Sequence, residues 1–152
     1  QQTDYMIEQL LSGIDIALVS DAGLPLISDP GYELVVKARQ HDIKVETIPG
    51  PNAGLTALMA SGLPSYTYTF LGFLPRKDKE KQNVLSERMF QSSTLIIYES
   101  PHRVTDTLKV IDKIDSQRRV SLGRELTKKF EQIVTADVNT LLTMLQNSEK
   151  IY

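Results

Sequence analysis

The chain has 152 residues, no cysteine, two histidines and a formal net charge of −2, with 41% hydrophobic and 24% charged residues, the balance of an ordinary globular protein. A disulfide framework and a thiolate metal site are excluded, and with only His41 and His102 as imidazoles no metal site is expected. No apolar run approaches the roughly 20 residues of a membrane helix, and the polar first residues lack a secretory signal pattern, so a cytoplasmic location is expected. The charge is uneven: residues 1–65 carry three basic groups against eight acidic, and residues 66–152 carry fourteen against eleven. A polyanionic partner would prefer the second half, although ordinary surface scatter gives the same counts.

In chain order, Tyr5, Ile7, Leu10 and Leu11 predict a helix closed by Gly13. Ile16–Val19 reads as a buried strand. It ends in a stiff loop, Ser20-Asp-Ala-Gly-Leu-Pro-Leu-Ile-Ser-Asp-Pro-Gly31. Asp29 is expected to cap the next helix, with Pro30 at its first position, where a missing N–H costs nothing. Lys44–Ile48 is a second expected strand, followed by Pro49-Gly-Pro-Asn52, and Asn52 is expected to cap a small-residue helix over 53–61. This alternation is the pattern of parallel α/β units.

The second half is expected to hold a strand over 66–73, a charged connection, and a helix running to Phe90. A strand over 94–98 and a helix from Pro101 to Ile114 follow. Strands over 119–122 and 130–135 and a helix over 138–146 complete it. Gly and Pro cluster at 61–65, so the expected domains are 1–64, with a parallel sheet, and 65–152, with a mixed sheet.

Chemistry-bearing residues gather where strands end, as ligand sites do in open α/β sheets. Asp21 lies two residues beyond the first strand, where a carboxylate either contacts a ligand or holds a turn. Ala53, Gly54 and Ala57 open the second helix start to a flat ring, or serve close helix–sheet packing. Tyr98-Glu-Ser-Pro-His-Arg103 offers Glu99 and His102 as proton acceptors and Arg103 as an anion ligand. Alternatively Ser100 caps the helix and the others solvate its first turn. Gly123-Arg-Glu-Leu-Thr-Lys128 could face an anion or form solvated ion pairs. No phosphate-loop or dinucleotide glycine fingerprint is present.

The ordered motifs SDAGLPLISDPG, IPGPNA, GLP, GFLPRK, YESPHR and RELTK span nearly the whole chain. With them the chain resembles the 16S rRNA (cytidine 1402-2′-O)-methyltransferase family of the tetrapyrrole-methylase-like superfamily. The resemblance implies an α/β, two-domain class III methyltransferase fold, incomplete at both ends. It implies S-adenosylmethionine as co-substrate, held between the domains, with no metal, 16S rRNA as partner, and a homodimer. On the matching positions, Asp21, Ala22, Leu24, Pro51, Asn52, Ala53, Ser100 and Gly123 are expected to contact the cofactor. Arg103, Arg124 and Lys128 are expected to face RNA, and Glu99, His102 and Glu125 are the candidate bases for a ribose 2′-hydroxyl. The family's first strand and its VPTPIGNL-type loop are not matched, nor is a final Gly-Glu strand after Tyr152. The chain therefore resembles the middle of the enzyme and is expected to be inactive by itself. A tetrapyrrole methyltransferase and a non-catalytic ligand-binding domain are the competing expectations.

Overall fold

A computed structural model describes residues 2–147. The chain divides into two compact units, Gln1–Asn52 and Ala53–Tyr152.

The first unit holds α1 (Gln2–Leu11) and α2 (Tyr32–Gln40). The two helices pack together and bury Ile7 and Ala38. On the surface Lys37 donates to Asp4 at 2.5 Å. Gly13, at φ 90°, ends α1 as expected. The Ile14 N–H reaches the Gln9 carbonyl and the Gly13 N–H reaches Leu10, the paired bonds of a Schellman cap. Asp42, at φ 55°, does the same for α2, with Ile43 bonded to Ala38 and Asp42 to Arg39.

Two expectations for this unit fail. Residues 16–19 and 44–48 form no strand and no helix among the described residues. A strand exists only through a ladder with a neighbour, and these segments do not pair with one another. Their apolar side chains stay accessible: Val19 is 83% and Ile48 85% exposed. Asp29 and Pro30 also do not start α2, whose N-cap is Gly31 with no side-chain cap bond. Gly31 takes φ 123°, which a helix cannot contain, so the helix begins after it. A Cβ there would lie 2.5 Å from Leu18 Cδ2, so the half-exposed Leu18 side chain would have to shift.

The second unit runs α3 (Ala53–Ser61), β1 (Tyr68–Phe73), α4 (Asp78–Arg88), β2 (Thr94–Tyr98), α5 (Pro101–Ile114), β3 (Arg119–Arg124), β4 (Gln132–Asp137), α6 (Val138–Asn147). α3 packs on β2, β3 and β4, so compactness groups it with this unit, earlier in the chain than the Gly/Pro cluster. β1 and β2 are parallel neighbours joined through α4, and β3 and β4 form an antiparallel hairpin. Both pairing senses of the expected mixed sheet are present, in two separate ladders among the described residues. Leu95 and Ile97 of β2 and Val120 of β3 line one cavity instead of sharing hydrogen bonds.

The core comes from helix faces of 3.6-residue period. Leu85, Met89, Leu108, Ile111, Val138, Leu141 and Leu145 form its centre. Lys81 lies among the buried residues at 1% exposure, and its nearest anionic partner is Asp78 at 3.5 Å. No described helix is long and apolar enough to cross a membrane. The end of the chain, Glu149–Tyr152, where a further strand could start, lies outside the described residues.

Candidate functional site

In the first unit, the two Pro/Gly loops lie against one another. A Cβ on Gly50 would meet Leu24 at 3.2 Å, and one on Gly23 would meet the Pro51 carbonyl at 3.6 Å. Ser20 braces the first loop: its hydroxyl donates to the Ala22 carbonyl at 2.9 Å and accepts from the Ala22 N–H at 3.3 Å. Leu24 is thereby brought beside Gly50 and Gly23 beside Pro51, and Asp21 is exposed.

In the second unit, a cleft of about 380 Å³ is lined by Ala53, Gly54 and Ala57 of α3, Tyr98 of β2, and Gly123 and Leu126 at the end of β3. Its walls are mainly small and apolar side chains, with Phe73, Glu99 and the hydroxyls of Ser61 and Ser121 also in the lining, a mixture suited to a flat organic ring with polar edges. Gly123 leaves little room beside the cleft: a Cβ there would lie 3.3 Å from Leu126 Cδ2 and 3.4 Å from Ala57 Cβ. The Tyr98 hydroxyl accepts from the Gly54 N–H at 3.2 Å, satisfying a free amide in the first turn of α3. Deeper, the Thr135 hydroxyl donates to the Ser61 carbonyl at 2.7 Å and lies 2.9 Å from the Ser121 hydroxyl, fastening α3 to the hairpin.

A second cavity of about 610 Å³ opens beside it, with Phe73, Arg76, Glu99, Ser100 and Arg103 in its lining. Glu99 is the most constrained group there, its side chain 7% exposed. It accepts from the Ser100 N–H at 2.9 Å and the Thr107 hydroxyl at 2.8 Å, and Arg103 Nε lies 3.4 Å away. The same guanidinium donates through Nη2 to the carbonyls of Leu74 at 3.0 Å and Pro75 at 3.1 Å. This latch ties the carboxyl end of β1 to that of β2 and to the start of α5. Ser100 occupies the N-cap position of α5, but its side chain makes no cap bond.

The remaining candidates line neither cavity. His102 is exposed in the first turn of α5. Arg124 ends β3 opposite Gln132. Glu125 pairs with Lys128 at 3.4 Å, in a connection where Glu125 and Thr127 take φ 50° and 65°.

Sequence reasoning passed over Phe70, Phe73 and Arg76. Phe70 and Phe73 are three apart, which on a regular strand puts them on opposite faces. A bulge at Leu71–Gly72 changes the count, so Phe70 pairs with Ile96 and Phe73 with Tyr98. Both phenyl rings then meet Tyr98 edge-on, at 5.0 and 5.9 Å between centroids. Gly72 inside an apolar strand was the available signal.

Comparison with known proteins matches residues 1–142 to the family of Tetrapyrrole (Corrin/Porphyrin) Methylases. The chain belongs to this family. It is 49% identical over 150 residues to the ribosomal RNA small subunit methyltransferase I of Vibrio cholerae, covering 98% of this chain and 52% of that protein. The protein of the same name from Halalkalibacterium halodurans is 54% identical over 129 residues, covering 85% and 45%. That of Escherichia coli O157:H7 is 45% identical over 150 residues, covering 98% and 52%. The chain spans about half the length of the curated relatives it matches. Membership in this methylase family agrees with the α/β class and with the resemblance carried by the six motifs.

Proposed function

We propose that the full-length protein is an S-adenosylmethionine-dependent methyltransferase that modifies the 2′-oxygen of a cytidine ribose in small-subunit ribosomal RNA. The observation carrying this is the 43–54% identity, along nearly the whole chain, to relatives named ribosomal RNA small subunit methyltransferase I. Cytoplasmic location, a homodimeric state and a domain division after residue 64 belong to the same proposal.

The co-substrate supplies a sulfonium-activated methyl group, so the protein's main task is positioning. The cleft of Ala53, Gly54, Ala57 and Gly123 suits such a ligand, because its small residues leave backbone and methyl groups open to a flat ring. Asp21, Ala22, Leu24, Pro51, Asn52 and Ser100 remain the other proposed cofactor contacts. Arg124 and Lys128 are proposed to meet RNA phosphates.

A base must take the 2′-hydroxyl proton, and a base needs a free, approachable lone pair. Glu99 already receives two hydrogen bonds and faces Arg103. That favours His102 for the proton, ahead of Glu125, whose carboxylate is paired with Lys128 at the surface, and gives Glu99 a fastening role. The test is methyl incorporation into small-subunit RNA by the full-length protein, with wild type and His102→Ala and Glu125→Ala variants compared at saturating co-substrate. Incorporation at a cytidine 2′-oxygen supports the proposal. Methylation of a porphyrinoid in place of RNA would overturn it.

A further inference from the structure

We propose that Phe73 and Arg76 form a subsite for one nucleotide of single-stranded RNA, the base stacking on the Phe73 ring and the phosphate meeting the Arg76 guanidinium. The inference rests on the RNA-methyltransferase reading above and deepens it.

Three observations carry it. First, the bulge at Leu71–Gly72 turns Phe73 to the Tyr98 side of the ladder, where the Tyr98 ring braces it at 5.9 Å. Phe73 nevertheless remains 57% exposed, an apolar ring held in place yet left open. Ring faces of this kind receive unstacked bases, at about 1–3 kcal/mol for each. Second, Phe73 and Arg76 line the same 610 Å³ cavity. Third, the charges there are already sorted. Glu99 offsets Arg103, and Arg103 spends its Nη2 on the carbonyls of Leu74 and Pro75. Lys77 is paired with Glu80 at 3.3 Å. Arg76 follows directly on the two pinned carbonyls and has no ion-pair or hydrogen-bond partner among the described residues. An aromatic face next to an uncompensated guanidinium fits a base joined to a phosphate, and a planar guanidinium suits phosphate oxygens.

The test is binding of a short fluorescein-labelled single-stranded RNA to the full-length protein, by polarisation across a salt series. Phe73→Ala and Phe73→Leu are expected to weaken binding roughly 5- to 100-fold without changing the salt slope, and Phe73→Trp to keep wild-type affinity. The leucine variant keeps the apolar volume and removes only the aromatic face, so it reads the subsite if the alanine variant folds poorly. Arg76→Gln is expected to lower the slope of log affinity against log salt by about 0.7, with Arg76→Lys restoring it. Unchanged affinity and slope in both variant sets, with wild type binding RNA, would overturn the subsite alone. Loss of S-adenosylmethionine affinity in the Phe73 variants, with RNA affinity intact, would also overturn it by assigning the ring to the co-substrate. Wild-type protein that binds no RNA would remove the functional reading and the subsite together.

Discussion

Removal of Glu99 tests whether this carboxylate is a fastener or a reagent. Its side chain is 7% exposed and holds the Ser100 amide, the Thr107 hydroxyl and the Arg103 guanidinium. Truncating one member of a buried ion pair costs about 3–5 kcal/mol when the other is stranded. Arg103 keeps two carbonyl acceptors and is 28% exposed, which reduces that figure. The Thr107 hydroxyl, at 4% residue exposure, loses its acceptor and adds about 1 kcal/mol. Glu99→Ala should therefore cost about 3 kcal/mol, and Thr107→Val, which strands Oε2, about 1–2 kcal/mol. The two should be coupled by about 1 kcal/mol in a double-mutant cycle. Urea titration of the full-length protein, followed by circular dichroism, gives these values. A Glu99→Ala cost below about 1 kcal/mol, or strict additivity with Thr107→Val, would refute the latch. A stable Glu99→Gln protein without methyl transfer would return Glu99 to the role of base.

Other outcomes are equally definite. Lys81 is buried and, among the described residues, has only a long contact to Asp78, so Lys81→Met should leave stability unchanged or raise it by about 1 kcal/mol. A loss larger than that, read from the urea midpoint, would mean the ammonium is better satisfied than its geometry indicates. Gly31→Ala should destabilise by about 2 kcal/mol, chiefly because φ 123° strains any L side chain, with a small further cost for displacing Leu18. Gly13→Ala, at φ 90° with open space around it, should cost less, about 1 kcal/mol, and thermal melts would show the order. Asp4 has its carboxyl held below the usual range by the hydrogen bond from Lys37. Its folded-state pKa is depressed, so its contribution is present above the unfolded value of 3.8 and fades as pH falls through the folded value. The melting difference between wild type and Asp4→Asn should be small at low salt, vanish in strong acid, and shrink with added salt. A difference growing towards low pH would contradict this.

The elements of the second unit were largely legible in the sequence. The strand 94–98 and the helices starting at Ala53, Pro101 and Val138 announce themselves through periodicity, proline at a first turn and glycine at an end. These are local preferences, expressed whatever the rest of the chain does. The two expected strands of the first unit show the limit of such preferences. The apolar run at 16–19 and the β-branched residues among 44–48 favour extension, but a ladder needs a hydrogen-bonding neighbour, and no described residue provides one.

The candidate site divides in the same way. The sequence by itself determined the family, through six motifs in order, and marked the strand ends where polar groups collect. Only tertiary structure decided how those groups are used. Glu99 reads in the chain as a free carboxylate beside a histidine, and in the fold it is locked by Thr107, eight residues away, and by Arg103. Phe73 reads as facing away from Phe70 until one bulged residue brings both rings to Tyr98. Local sequence sets backbone preference within a few residues. Whether a carboxylate is available or a ring exposed depends on partners that only packing brings within a few ångströms.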